Sequence, residues 1–397
     1  MKIVLISDWH SENMGYSDNF MPKALASLGH EVHLVTSNGQ VYFNSPSYKD
    51  IFEPFLGPRF VKCGIKKVDG YTLHRLPYME YRGRVRIRGL FAKLRSLRPD
   101  VVQAGEFICI STYETALAKP ILGYKLFVEC HVHASVFPLA LRRGNMKERL
   151  KLAIYKSTAG RLVNYMCEKC FPISSDAADV AIRFLGMQKD KVTVRPLGVD
   201  TSFFKPISDE SSKNERSQIR KKFGFKEEDV VCIYTGRIDK SKDPLCLAKA
   251  IGRLVEQGKP FRGLFVGNGL QGNVDAIKEC PGCTVHAFVP TKELVSFYRA
   301  SDVGVWPKQE STSQLDAAAC GLPLILSNRV EVKERINANG VLYEEGNADD
   351  LVSKLQSLSS PECRKKMGES GARKMQNSFS WECIAKEYVK DYETSLC

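Results

Sequence analysis

"KIVLISDWHSENMGYSDNFMPKALASLGHEVHLVTS", Lys2 to Ser37, decides the fold. "KIVLIS" is an apolar run of strand length, and "DWHSENMGYSD" is a polar loop containing Gly15. "NFMPKALASLGHE" repeats its apolar residues at helical spacing, and "VHLVTS" is a second strand. Gly29 stands where a helix C-cap would fall. Strand, loop, helix and strand at this spacing form a βαβ unit, whose right-handed crossover makes the two strands parallel members of one sheet. Ligands of such sheets lie beyond the C-terminal strand ends, which directs attention to the loop holding Gly15.

The pattern continues along the chain. "VVQAG" (101–105), "KLFVEC" (125–130) and "CFPIS" (170–174) are further strand candidates, while Leu90, Phe91, Leu94 and Leu97 recur on one helical face with Lys93, Arg95 and Arg98 opposite. After "VTVRPLGVDTSFFKP" and the polar stretch "SDESSKNERSQIRKKFG" a second series begins. "VVCIYTG", "RGLFVGNG", "TVHAFV", "DVGVWP" and "PLILS" read as strands, with "DPLCLAKAIGRLVEQG" the first of the helices between them. The expected architecture is α/β, with two doubly wound Rossmann-like domains facing each other across a cleft. The boundaries fall at 1–197, 198–380 and a last helix at 381–397.

A chain of 397 residues with 43% hydrophobic composition can bury two cores. No apolar run approaches the length needed to span a bilayer, and "MKIVLISDWH" lacks the features of a signal peptide, so a soluble, cytoplasmic protein is expected. Thirteen cysteines then read as reduced, mostly buried small hydrophobes. Cys167 with Cys170 and Cys280 with Cys283 have the C-x-x-C spacing, but the pairs are too far apart for a zinc ribbon and no histidine completes either, so no metal is expected. Of the net charge of +13, residues 1–200 carry 29 Lys and Arg against 18 Asp and Glu, or +11, which leaves +2 for the remainder. A basic first half suits an anionic membrane surface or a phosphorylated acceptor better than nucleic acid.

Several residues at expected strand ends can carry chemistry. In "YTGRIDKSKDP", Gly236 permits a tight turn, and Arg237 with Lys242 could neutralise a leaving diphosphate without a metal; as a bland alternative they are solvated loop cations. In "KQESTSQLDAAACGLPLI" a short helix runs from Ser313 to Cys320 with Gly321 as its C-cap; its N-H groups could meet a phosphate. Asp316 either accepts two ribose hydroxyls or forms a capping box with Ser313. Gly267, Gly269 and Gly272 match G-x-G-x-x-G, which supports a rival NAD-dependent oxidoreductase, although the following strand ends without the acidic residue that would hold a ribose. His131 and His133 follow "KLFVEC", and His131 emerges directly from the strand end.

Together these stretches resemble the retaining glycosyltransferases of family 4, which have the GT-B fold. The resemblance runs in order from "GYSDNFMPKALASLGHEVHLVTS" through "PLGVDTSFFKP", "TGRIDKSKDP", "FVGNG" and "FVPTKELVSFYRASDVGVWP" to "LDAAACGLPLI". It implies that Arg237 and Lys242 hold the donor diphosphate, that the main-chain N-H of Gly15 adds to them, that Asp316 binds the ribose, and that His131 contacts the transferred sugar. Gly267 and the main chain near Val289 would complete the donor site. It also implies a nucleotide-sugar co-substrate, UDP-sugar favoured over GDP-sugar, no metal cofactor, retention at the anomeric carbon, and a glycan, lipid-linked or small-molecule acceptor. The family usually has two glutamates eight residues apart; here Asp316 stands at the second position and Lys308 at the first. The glycines between them are replaced by Gln309 and Ser311. Glu310, Gln309, or a main-chain group with Ser311 and Thr312 would then orient the donor sugar, and a GT-B protein that only binds nucleotide or glycan is the alternative. The basic stretches "YRGRVRIRGLFAKLRSLRP" and "LRRGNMKERLKLAIYK" suit either anionic lipid or helices packed on a sheet.

Overall fold

The computed structural model describes residues 1–12, 14–81, 84–133 and 146–397. These divide into two compact units, one of Met1–Tyr48, Leu56–Leu197 and Trp381–Cys397, the other of Lys49–Phe55 and Gly198–Ser380.

The first unit holds strands β1 (Lys2–Ser7), β2 (Glu31–Ser37), β3 (Gly64–Val68), β4 (Tyr71–Leu76), β7 (Val101–Ala104), β8 (Lys125–Cys130) and β9 (Lys169–Pro172) in the order β3-β4-β2-β1-β7-β8-β9. All neighbours are parallel except β3 and β4. β5 (Tyr78–Tyr81) and β6 (Arg84–Ile87) form a separate antiparallel pair. Alternate residues of β1 serve different cores. Val4 and Ile6 pack with Leu90, Leu94, Ala116 and Val163, whereas Ile3 and Leu5 pack with Met21, Leu25 and, from the last helix, Trp381, Ile384, Tyr388 and Tyr392. Both faces are therefore covered, as the continuous apolar strands require. Chain order reverses between β1 and β7, and the crevice beyond their C-terminal ends is the switch point of this sheet.

The second unit holds β10 (Val230–Thr235), β11 (Phe261–Val266), β12 (Cys283–His286), β13 (Val303–Trp306), β14 (Leu324–Ser327) and β15 (Gly340–Tyr343) in the order β12-β11-β10-β13-β14-β15. Every neighbouring pair is parallel, and the switch point lies between β10 and β13.

The structure adds β3, β4, the β5–β6 pair and β15 to the strands read from sequence. β3 is almost wholly exposed, and its Lys66 and Lys67 give it the charged character of a protected sheet edge rather than an apolar run. The strand expected as "TVHAFV" stops at His286, and the N-H of Phe288 goes instead to Asn268 Oδ1 at 2.9 Å. On the helix Leu90–Leu97 only Leu90 and Leu94 are buried; Phe91 is 43% exposed. Residues 82 and 83 of the basic stretch 81–99, and residues 141–145 of the basic stretch 141–156, lie outside the described residues. Among the described residues no helix is long and apolar enough to cross a membrane.

Candidate functional site

In the second unit the loop after β10 is built around Asp239. Its Oδ1 accepts the main-chain N-H groups of Ser241 (2.9 Å) and Lys242 (3.1 Å), and its Oδ2 lies 3.5 Å from Arg237 Nη1. Tyr234 donates its hydroxyl to the Arg237 carbonyl at 2.7 Å. Asp239 and Tyr234 thus fix the main chain at both cations. The Lys242 amine reaches into the loop after β13, donating to the Glu310 carbonyl at 2.6 Å. Burial, with Arg237 as the next contribution, pulls the Lys242 pKa down to about 8. Two cations are held close together on a sheet's switch point, an arrangement that an incoming anion relieves.

The loop after β13 is fixed from behind. Arg335, which is buried, donates to the Ser311 carbonyl (3.0 Å) and to Gln314 Oε1 (3.2 Å), while Gln314 Nε2 donates to the Gln309 carbonyl (3.2 Å). Gln309 has φ of +61°, so the main chain keeps the left-handed conformation that glycine adopts at least cost at a position where the resembled family has one. Glu310 turns its carboxylate to the N-H of Glu331 at 3.0 Å. The helix Ser313–Ala319 follows, with Thr312 as its N-cap residue. The N-H groups of Gln314 and Leu315 are bonded to the carbonyls of Ser311 and Thr312 at 3.3 and 2.8 Å. Ser313 is inside the first turn, its Oγ 2.6 Å from Ser311 Oγ, so the capping box with Asp316 considered from sequence does not form. Burial and, second, the charge of Asp200 push the Asp316 carboxyl up to about 8. A carboxyl raised in this way can both donate to and accept from a hydroxyl pair.

Gly267 and Gly269 have a reason within the chain itself. A Cβ on Gly267 would lie 1.9 Å from the Gly236 carbonyl oxygen, and one on Gly269 would lie 2.1 Å from that of Ile238. The two glycines let the loops after β10 and β11 touch, main chain to main chain. Gly272 has no atom within 4 Å of its would-be Cβ, so the close packing that the third glycine provides in a dinucleotide fingerprint is missing. Val289 is buried, in the loop that Asn268 tethers through Phe288.

In the first unit Gly15 has φ of +72° and directly precedes Tyr16, the N-cap residue of the helix Ser17–Ser27. His131 leaves β8 with its main-chain N-H bonded to Glu106 Oε2 at 3.0 Å and its Nε2 2.7 Å from Glu129 Oε2. Burial lowers the His131 pKa, but the hydrogen bond and charge of Glu129, with Glu106 adding to them, outweigh it and leave the value raised. Glu129 is itself gripped by Gln103 and, at 3.4 Å, by Tyr388 of the last helix, while Tyr392 bonds Gln103. His133 instead faces Asp176, with Nδ1 3.1 Å from Oδ2.

The second unit therefore gathers Arg237, Lys242, Glu310, Ser311, Thr312 and Asp316 beyond β10 and β13, with Gly267 beyond β11 and Val289 beyond β12. The first unit places Gly15 and His131 beyond β1 and β8. Sequence reading missed Arg335, which sits unmarked in the charged run "EVKERIN". It also missed Glu129, for which the signal was available: an acid directly after the apolar run Leu126–Val128 in "KLFVEC". Among the described residues no group of three or more His, Cys, Asp or Glu side chains could hold a metal ion. All thirteen cysteines are unbridged, and Cys167 and Cys170 are buried in the core.

The depressed Lys242 pKa has a measurable consequence. The unfolded chain keeps this proton up to about pH 10.5 while the folded chain releases it near 8, so the cost of the buried charge is present in full below 8 and is relieved as pH rises toward 10.5. Lys242→Met is accordingly expected to be more stable than the parent by about 1 kcal/mol at pH 7, after loss of the bond to Glu310, with the gain shrinking by pH 10. Melting temperatures across that range check it; an advantage that grows with pH would contradict the assignment.

Comparison with known proteins identifies the family and the fold. Residues 22–203 match the family described as Glycosyltransferase Family 4, and residues 215–374 match Glycosyl transferases group 1. A D-inositol 3-phosphate glycosyltransferase of Segniliparus rotundus is 24% identical over 297 residues, covering 70% of this chain and 63% of that one. The matches span less than two thirds of the length of the first curated relatives, at 57%, 63% and 54%. Sucrose-phosphate synthase from Thermosynechococcus elongatus superposes with a TM-score of 0.72 at 18% identity, over 99% of this chain and 98% of that one. Anabaena HepE in complex with UDP does so with a TM-score of 0.71 at 15% identity, over 99% and 100%. The two doubly wound, mainly parallel sheets thus have the GT-B fold, and the chain belongs to glycosyltransferase family 4.

Proposed function

We propose that this chain is a retaining, metal-independent hexosyltransferase that moves a sugar from a nucleotide-diphosphate donor, UDP before GDP, to a glycan or lipid-linked acceptor. The observation that carries the reading is the cation pair after β10, with Lys242 driven down to about 8 by burial and by Arg237. Paired positive charge aimed at the crevice replaces the divalent ion that other diphosphate chemistry employs, and Asp316 offers a carboxyl to the ribose. A solved GT-B neighbour in complex with UDP supports the choice of base. Gly15 would add a main-chain N-H to the phosphates, and His131, its charge favoured by Glu129, would meet the transferred sugar.

A lipid-linked acceptor is supported by the helix Met146–Ser157. Met146, Leu150 and Ile154, spaced at four residues, are 81%, 61% and 54% exposed, and Lys151 and Lys156 lie exposed on the same helix. A basic helix with an apolar stripe suits an anionic bilayer surface, from which a cytoplasmic enzyme could take its acceptor. Flotation with liposomes checks this, and binding that does not depend on anionic lipid or salt would argue for a soluble acceptor.

The donor reading is tested by a thermal-shift screen with UDP, GDP and ADP, followed by transfer and hydrolysis assays with the corresponding sugars and added chelator. UDP is expected to give the largest shift, and turnover is expected to survive chelation. Binding of UDP without loss of sugar from any donor would favour a nucleotide-binding protein that lost catalysis when Lys308 replaced the first glutamate of the pair.

A further inference from the structure

Outside the residues placed so far, the first unit contains a cavity of about 620 Å³ at the switch point between β1 and β7. Its walls come from separate parts of the unit: Trp9 after β1, Phe60 before β3, Tyr78 and Glu80 on β5, and Arg84 on β6. Asp8, which also lines it, is buried. The aromatic walls form a cluster, with the Phe60 and Tyr78 rings 5.1 Å apart and each packed on Phe43. Trp9 and Phe60 are nonetheless 40% and 42% exposed, so both rings present surface to a molecule entering the cavity.

The polar groups narrow the occupant. Asp8 Oδ1 accepts from Ser111 Oγ at 2.5 Å, and burial, the largest influence on its carboxyl, raises its pKa. Arg84 is anchored by a 2.6 Å bond to the Ile108 carbonyl, and Tyr78 donates to Glu80 Oε2 at 3.2 Å. Acids and arginines are balanced around the cavity, with Arg59 the second guanidinium, so it lacks the surplus positive charge that recognition of a phosphate requires. Aromatic faces beside carboxyl and guanidinium groups instead match a ring with apolar C-H faces and hydroxyl edges.

We propose that this cavity holds the acceptor and that the part it holds is an uncharged saccharide, one ring lying on Trp9 and Phe60 with hydroxyls reaching Asp8, Glu80 and Arg84. The proposal rests on the transferase reading above and adds the site and the chemical class. Any charge on a lipid-linked acceptor then lies outside the cavity.

Trp9 makes the test direct, because the other two tryptophans, Trp306 and Trp381, are buried. Intrinsic emission of the full chain would be titrated with glucose, N-acetylglucosamine, maltose, cellobiose and glucose 6-phosphate, with and without UDP. Saturation-transfer NMR on the same sugars reports contact without any variant. Neutral saccharides are expected to change the emission, to lose that effect in Trp9→Phe, and to bind at least as well as glucose 6-phosphate. In transfer assays Trp9→Ala is expected to raise the acceptor KM by about tenfold. If UDP raises the melting temperature but no sugar alters Trp9 emission or receives saturation, the cavity is not a saccharide site and the donor reading stands. Tenfold or tighter binding of the phosphorylated sugar than of glucose would overturn the uncharged class and assign Arg59 and Arg84 to an anion. Sugar binding without any response to UDP would instead remove the donor reading.

Discussion

Arg237→Ala is expected to keep its melting temperature and to lose turnover by roughly two to three orders of magnitude, as removal of a preorganised donor to developing negative charge does. The stability half of this result follows from exposure. The guanidinium is 45% exposed and its ion pair with Asp239 spans 3.5 Å, a geometry that contributes little to folding. The activity half follows from the proposed function: Arg237 follows the end of β10 at the switch point, where its planar fork would span two phosphate oxygens of the proposed donor as the bond to the sugar breaks. Arg237→Lys should recover only part of the loss, because an ammonium supplies charge without the fork. Single-turnover rates at saturating donor check both variants, and near-normal turnover in Arg237→Ala would remove it from the leaving-group site.

Gly267→Ala is expected to destabilise the protein by roughly 3 kcal/mol or more. A methyl group there would sit 1.9 Å from the Gly236 carbonyl oxygen, and neither partner can yield, since both are main chain pinned by the Gly236 N-H to the Val266 carbonyl at 3.0 Å. Gly272→Ala, three glycines into the same "GNGLQG", should be neutral or stabilising by up to about 1 kcal/mol, because its Cβ meets open space on a helix. Urea denaturation of the two variants separates the cases. Equal effects would mean that the loop contact between β10 and β11 is not what these glycines serve.

The contrast between those two glycines shows what pattern reading lacks. Three glycines at dinucleotide spacing look alike in the sequence, yet two are required by the chain's own neighbouring loop and the third is not. The strands tell a similar story. β1, β2, β10 and β13 each carry a buried, mainly apolar run because both sheet faces are covered, and such runs announce themselves. β3, with Lys66 and Lys67 on a sheet edge, and the four-residue β15 carry no such run. Phe91 has the right spacing for the core and misses it, since spacing alone does not say how wide a stripe the neighbouring elements can cover.

By itself the sequence determined the two series of alternating strands and helices, the loops in which Gly15, Arg237 and Lys242 would fall, and the family resemblance that the comparison bears out. Local hydrophobic period and turn chemistry act over a few residues, so they can be read from a few residues. Only the tertiary structure decided that Lys242 would bond the carbonyl of Glu310, 68 residues away, that Arg335 would support Ser311, and that Tyr388 would reach Glu129 across 259 residues. Those contacts depend on which strand ends become neighbours, and that follows from how the sheets assemble.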